Sequence, residues 1–125
     1  MPEATVAVYR GAFTFDREAL DAVVVAHWPT RRYTEIRSSR RAESLVGQYE
    51  VQADNGTPLF VDVVRKGTAL YLSSSDATLA AAFIAAVTTV PGFPDDGSAI
   101  LAEWAPDVVP LRAYTTAREV LALIV

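Results

Sequence analysis

The sequence contains one histidine, His27, so any catalytic arrangement or metal site that needs an imidazole must use this residue. His27 precedes Trp28 at the end of a predicted helix, on the same helical stripe as Leu20 and Val24. No Gly-x-Ser-x-Gly motif that would mark a nucleophilic serine accompanies it, and the chain offers no cysteine or second histidine as a zinc ligand. We therefore interpret His27 as a packed or helix-terminal side chain, and we predict no metal site and no catalytic residue.

Two carboxylates, Glu50 and Asp62, are suited to acid–base chemistry or to holding a cation, provided that a pocket raises the pKa of one of them. In the strand register derived below, they lie diagonally on one face of a predicted sheet. Polar side chains share that face: Gln48, Gln52 and Ser73. Because such a mixture is typical of a sheet face in contact with water, we favour a solvated face over a catalytic pair.

Two aromatic residues, Phe60 and Tyr71, are predicted to lie among these polar side chains. Aromatic groups ringed by polar ones are typical of protein interfaces, where the rings supply desolvated contact area and the carboxylates select the partner. The alternative is that a helix or the C-terminal tail covers this face. The candidate partner-binding residues are Gln48, Glu50, Phe60, Asp62 and Tyr71.

These side chains share a face only if residues 45–73 form three antiparallel strands in a particular register. A three-residue loop ending at Gly56, in the left-handed conformation, keeps apolar residues opposite one another, whereas a two-residue loop would mix the faces. A two-residue turn at Lys66-Gly67 then extends the same apolar face into the third strand. The predicted apolar pairs are Val51 with Leu59, Tyr49 with Val61, Gly47 with Val63, Val63 with Leu70 and Val61 with Leu72.

A helix is predicted to follow the third strand directly. Asp76 and the serines before it accept hydrogen bonds from the free N–H groups of a helix start, and Pro91-Gly92 is expected to stop the helix. Between these signals, apolar residues recur at helical spacing on one stripe: Leu79, Ala82, Phe83, Ala86, Val87 and Val90. The stripe predicts a helix packed on the apolar face of the sheet.

Shorter elements are predicted on either side of this stretch. Strand patterns cover residues 5–9, 33–37, 99–104 and 108–111, with a loop at 38–41. A first helix should begin after the N-cap Asp16 and run to about Trp28. A last helix should open with a capping box of Thr116 and Glu119 and continue to the C-terminus.

The order of these elements predicts an α+β fold. We expect an antiparallel sheet of about five or six strands with helices packed mainly on one face, in a split βαβ (ferredoxin-like) arrangement. The length of 125 residues fits one domain with its own core, and we assign residues 1–125 to a single α+β domain.

Composition limits the compartment and the source. The chain has no cysteine, which excludes disulfides and thiolate metal sites and fits a reducing compartment. No basic segment followed by an apolar segment opens the sequence, so we expect a cytoplasmic protein. The preference for arginine over lysine is typical of a GC-rich coding sequence and suggests a bacterial or phage source.

Two segments raise the question of a nucleic-acid or membrane partner. Residues 31–41 are rich in arginine and contain Tyr33, a combination that contacts phosphates and stacks on bases in some proteins. The formal net charge of −4 opposes phosphate binding, so we expect no nucleic-acid partner. The uncharged run 77–94 is interrupted by Pro91 and Pro94, which favours a buried helix, and we expect no membrane partner.

These observations favour a non-catalytic accessory domain, of an immunity, adaptor or chaperone-like kind, that binds another protein through the amphipathic sheet face. A homodimer is compatible with this interpretation. The alternative is a small-molecule-binding domain or an unrecognised enzyme with a pocket between the sheet and the first helix, using Glu50, Asp62, Tyr71 or His27. No Gly-rich phosphate loop occurs, so no cofactor is predicted.

Overall fold

The computed structural model describes residues 3–9, 11, 13–36, 45–64, 66–102 and 108–123. These residues form strands and helices in the mixture predicted, so the α+β class is confirmed. The strands are β1 (Glu3–Val8), β2 (Arg32–Glu35), β3 (Leu45–Gln52), β4 (Pro58–Val64), β5 (Ala69–Ser74), β6 (Ala99–Ala102) and β7 (Val109–Pro110). The helices are α1 (Arg17–His27), α2 (Ala77–Val87) and α3 (Ala117–Ala122).

The seven strands form one sheet in the order β2-β3-β4-β5-β1-β6-β7, and all neighbours run antiparallel. The prediction of about five or six strands is therefore too low, because short strands complete the sheet at both edges: β2 has four residues and β7 has two. The split βαβ (ferredoxin-like) arrangement is not confirmed, because α1 leads from β1 to β2 at the far edge of the sheet.

The two hairpins at the centre of the chain have the predicted register. All five predicted apolar pairs occur, and the polar ladder pairs fall on the opposite face. The loop between β3 and β4 closes through a hydrogen bond from the Gly56 N–H to the Ala53 carbonyl, and Gly56 has a φ of 86°. This left-handed conformation favours glycine, which explains why the longer loop forms.

Alternation along the strands gives the sheet one buried face and one face turned away from the helices. The buried face and the helices share a single core: Val6, Tyr49, Val51, Leu59, Val61, Leu70 and Leu101 from the sheet, with Leu20, Val24, Phe83, Ile84 and Val120 from the helices. The described helices therefore pack on one face, as predicted. We call the other face the open face; it carries Glu3, Thr5, Arg32, Thr34, Gln48, Glu50, Phe60, Asp62, Tyr71 and Ser73.

All three helices begin at the predicted caps. The Asp16 and Asp76 side chains accept hydrogen bonds from backbone N–H groups of α1 and α2. Thr116 and Glu119 form the predicted capping box of α3. Each cap satisfies N–H groups that have no partner inside the helix, so the boundary follows from local sequence.

Helix α2 ends earlier than predicted. It stops at Val87, although Pro91-Gly92 lies further along the chain. The hydroxyl groups of Thr88 and Thr89 each donate to a backbone carbonyl three residues earlier, at 2.6 Å. Threonine side chains that bond to the backbone in this way compete with continued helix, which explains the early end.

Across the described part of the chain, no helix combines the length and the apolar content that a membrane span needs. The predicted loop 38–41, Trp104 in the predicted strand 99–104, and the last two residues of the predicted final helix lie outside the described residues.

Candidate functional site

The open face brings the five candidate residues together. Gln48 pairs with Asp62, and Asp62 pairs with Tyr71, so these three residues form one row across β3, β4 and β5. Glu50 pairs with Phe60 in the next row. The predicted diagonal relation between Glu50 and Asp62 is confirmed. The partner-binding role of these residues stays a prediction.

A cavity of about 460 Å³ is lined by four of these residues, Gln48, Phe60, Asp62 and Tyr71. We call it the acidic cavity; the side chains that matter for its chemistry are Glu3, Gln48, Phe60, Asp62, Tyr71 and Ser73. Its only formal charges within the described lining are the carboxylates of Glu3 and Asp62. It therefore combines aromatic surface with negative charge.

Glu3 was missed by sequence reasoning. Its position opposite Ser73 depends on the central place of β1, beside β5. No turn connects β1 directly to β5, so local sequence does not specify this pairing. The sequence feature that could have identified Glu3 is the alternation of buried Ala4, Val6 and Val8 along β1, which places Glu3 on the face away from the core.

A hydrogen bond orients one carboxylate of the acidic cavity. The Gln48 side-chain amide donates to Asp62 Oδ1 at 2.8 Å. Tyr71, on the neighbouring strand, keeps 47% of its surface exposed. An oriented acceptor beside an exposed aromatic ring is an arrangement suited to recognising a polar or cationic group.

Glu50 lies beside this cavity and has a basic neighbour. Arg32 Nη1 is 4.0 Å from Glu50 Oε1, and the Arg32 side chain is 79% exposed. Such an exposed ion pair contributes little to stability, but it offsets the local charge of Glu50. The carboxylates that line the acidic cavity itself belong to Glu3 and Asp62.

A second polar cluster lies on the helix side of the sheet, between α1 and β3. Arg31 donates to both carboxylate oxygens of Asp21, with a shortest distance of 2.9 Å. The hydroxyl of Tyr49, a fully buried residue, donates to Asp21 Oδ1 at 3.1 Å. Sequence reasoning missed this cluster. The available signal was Tyr49 itself, because a tyrosine on an apolar face needs a partner for its hydroxyl.

The ionisation of this cluster is set by hydrogen bonding and burial. The hydrogen bonds from Arg31 hold the pKa of Asp21 below its usual value, since they stabilise the charged carboxylate. Burial raises the pKa of the Tyr49 hydroxyl, which therefore keeps its proton and donates a hydrogen bond to Asp21. These three residues join α1 to the sheet, and we call them the clamp.

Replacing Asp21 with asparagine should lower the free energy of unfolding at pH 7 by about 1–2 kcal/mol, since it weakens charged hydrogen bonds at a partly exposed site. The folded-state pKa of Asp21 lies below 3.8, so the contribution of the carboxylate is present at neutral pH. It should be lost as the pH falls below 3.8 and through the folded-state pKa.

Denaturant unfolding of wild type and Asp21→Asn between pH 7 and pH 2 measures this difference. Tyr49→Phe is the matched control, because it removes one hydrogen bond and leaves the ion pair. The loss of unfolding free energy caused by Tyr49→Phe should change less with pH than the loss caused by Asp21→Asn. A cost for Asp21→Asn that stays constant down to pH 2 would contradict the clamp.

A cavity of about 540 Å³ adjoins the clamp beside α1, lined by Asp16, Arg17, Glu18, Asp21, Arg31 and Tyr33. The residues considered for a pocket on this side do not line it. Glu50, Asp62 and Tyr71 lie on the open face, because residues alternate along a strand. His27 is exposed at the end of α1, with Nδ1 at 3.0 Å from the Val23 carbonyl, and does not lie in the core.

No other feature of the described residues assigns a chemistry. Within those ranges, no three histidine, aspartate or glutamate side chains gather closely enough to hold a metal ion. No family model, curated protein or solved structure matches this chain. Function therefore has to be inferred from the fold and the surface.

Proposed function

We propose that this chain is a non-catalytic accessory domain that binds another protein through its open face, in the manner of an immunity, adaptor or chaperone-like factor. The observation that carries this proposal is the position of Phe60 and Tyr71, beside the carboxylates of Glu3 and Asp62, on the sheet face opposite the described helices. Aromatic anchors of this kind contribute most of the binding energy in many protein interfaces.

The charge of the open face favours a basic partner. Glu3 and Asp62 lie in the acidic cavity, and the whole chain has a formal net charge of −4. Complementary charge accelerates association with a basic surface and disfavours acidic ones. A homodimer built on this face would bring the same carboxylates of two copies together, since a twofold interface uses one patch on both subunits. A different, basic protein is therefore the favoured partner.

The proposed setting is the bacterial cytoplasm, which fits a chain without cysteine. An inhibitor or chaperone-like factor would act there by covering a surface of its partner. Such a role needs an exposed, chemically distinct face and no catalytic group. The open face has both aromatic and acidic character, which supports this kind of role.

Small-molecule binding is the second candidate. The cavity beside α1 has a volume of about 540 Å³, which falls in the range of ligand pockets, about 300–1,000 Å³. Its charges are largely paired within the protein, since Arg31 binds Asp21 and Arg17 lies 3.4 Å from Glu35. A ligand would have to compete with these pairs, which counts against this candidate.

Capture of partners from source-cell lysate, followed by native mass spectrometry, tests the proposal. The wild-type protein should retain one protein in stoichiometric amount, and Phe60→Ala/Asp62→Lys should lose it, because the double change removes an anchor and reverses a charge. The matched control is Tyr114→Ala/Glu18→Lys, which makes the same types of change at exposed positions on the helix side. The control should retain the partner.

Circular dichroism and thermal unfolding establish that both double variants are folded. Equal capture by the wild type and the folded open-face variant would refute binding through the open face. A retained small molecule with no bound protein would instead support the second candidate. The cavity beside α1 would then be the place to search, with Arg17→Ala as the first variant.

A further inference from the structure

We infer that Asn55 is a deamidation site that the folded loop between β3 and β4 protects, and that it converts to isoaspartate or aspartate when this loop opens. The inference concerns the covalent chemistry of the chain and is independent of the proposed function. It depends on the sequence of the loop, on its exposure and on the hydrogen bonds that close it.

The reaction needs an asparagine followed by a residue with an accessible backbone nitrogen. Asn55 is the only asparagine in the sequence, and Gly56 follows it. The Gly56 nitrogen attacks Cγ of Asn55, the proton of that nitrogen leaves with the side-chain amide as ammonia, and a succinimide ring remains. Water then opens the ring at one of its two carbonyl groups and gives aspartate or isoaspartate. Glycine hinders the attack least, because it has no Cβ atom.

The tip of the loop is accessible to water. Asp54, Asn55 and Gly56 are all exposed. A Cβ atom built on Gly56 would meet no atom of the described residues within 4 Å. Packing therefore does not shield the reacting atoms, and any protection has to come from the loop itself.

Hydrogen bonds of the folded loop restrain both reacting groups. The Gly56 N–H, whose nitrogen has to attack, donates to the Ala53 carbonyl at 2.9 Å. Oδ1 of Asn55 accepts from the Thr57 N–H at 3.0 Å, which restricts rotation of the side-chain amide. Loss of the Gly56 proton requires the first of these bonds to break. Because an exposed turn opens locally at a lower free-energy cost than the whole domain, the reaction proceeds through the opened loop.

Isoaspartate changes the loop that sets the strand register. Its main chain runs through the former side chain, so it adds a methylene group to a loop closed by the Ala53 N–H and the Thr57 carbonyl. The length of this loop fixes the pairing of β3 with β4, beginning with Val51 and Leu59. Aspartate keeps the original backbone. We therefore expect isoaspartate, and not aspartate, to destabilise the hairpin.

A second turn of similar geometry serves as an internal comparison. Asp96 precedes Gly97, and its Oδ1 accepts from the Ser98 N–H at 2.9 Å. Gly97 has a φ of 86°, the same as Gly56. Carboxylates are ionised at neutral pH and are much weaker electrophiles than a carboxamide. Succinimide formation should therefore be much slower at Asp96 than at Asn55.

Incubation of the full chain at mildly alkaline pH, native and unfolded in guanidinium chloride, tests the inference. Intact-mass spectrometry follows the exchange of ammonia for water, and peptide mapping that resolves isoaspartate from aspartate locates it. The unfolded chain should be modified at Asn55 at least about tenfold faster than the native protein, as expected for a reaction that requires loop opening. Asn55→Asp should remove the mass change in both states.

The same variant is the matched control for the effect on the hairpin, because it carries the new charge on an unchanged backbone. The isolated isoaspartate form should unfold at a lower denaturant concentration than Asn55→Asp. Three results would each overturn the inference: equal rates of modification in the native and unfolded chains, faster modification at Asp96 than at Asn55, or equal stability of the isoaspartate form and Asn55→Asp.

Discussion

Replacing Phe83 with alanine should lower the free energy of unfolding by about 3–5 kcal/mol, the cost of truncating a fully buried aromatic side chain. Phe83 lies at 0% exposure in α2, and its ring stacks against Trp28 at the end of α1, with 5.4 Å between ring centroids. The substitution would therefore leave a cavity where both helices meet the sheet. Denaturant unfolding followed by circular dichroism measures the loss.

Thr78→Ala, at an exposed position of the same helix, is the control and should change stability by less than about 0.5 kcal/mol. A loss of under about 1 kcal/mol for Phe83→Ala would contradict the described packing of α1 and α2 on the sheet. Because the helices pack on the face opposite the proposed binding surface, folded Phe83→Ala should still capture the partner. The Phe83→Ala variant therefore shows whether a loss of stability alone affects capture of the partner.

Gly47→Ala should also destabilise the protein, toward the upper end of the about 1–3 kcal/mol that overpacking costs. A Cβ atom at Gly47 would overlap the hydroxyl oxygen and the Cζ atom of Tyr33. To make room, the Tyr33 ring would have to give up its contacts with Tyr49 and with the guanidinium of Arg17. The Tyr33 ring of β2 thus occupies the space above Gly47 in β3.

A double-mutant cycle with Tyr33→Ala measures this contact. Gly47→Ala should cost less than about 0.5 kcal/mol once the tyrosine ring is absent, because its obstacle has been removed. The Tyr33→Ala variant alone serves as the reference for the lost ring contacts. The same cost for Gly47→Ala in both backgrounds would show that Tyr33 does not limit the space at Gly47.

The sequence predicted the central hairpins well because alternation and turn chemistry agree there. One register alone placed Tyr49 and Val51 opposite apolar residues, and Gly56 supplied the left-handed residue that this register needs. The candidate residues Phe60 and Tyr71 could therefore be assigned to one face. When short turns join the strands, the alternation of apolar and polar residues is enough to assign each side chain to one face of the sheet.

The position of β1 could not be predicted in the same way. No short turn links β1 to β5 or β6, so its central place results from packing that involves the whole chain. Glu3 was missed for this reason. The clamp of Asp21, Arg31 and Tyr49 was missed because it joins residues up to 28 positions apart, and Asp21 lies off the apolar stripe of α1.

Photo-crosslinking in source cells tests the central claim most directly. A photoreactive phenylalanine analogue placed at Tyr71, on the open face, reports what contacts that surface, and the same analogue at Tyr114 reports on the helix side. Both positions are exposed, so the analogue should be tolerated at each. We predict a single major protein adduct at Tyr71, with a basic protein, and none in comparable yield at Tyr114. Adducts at Tyr114 alone would contradict the assignment of the open face as the binding surface.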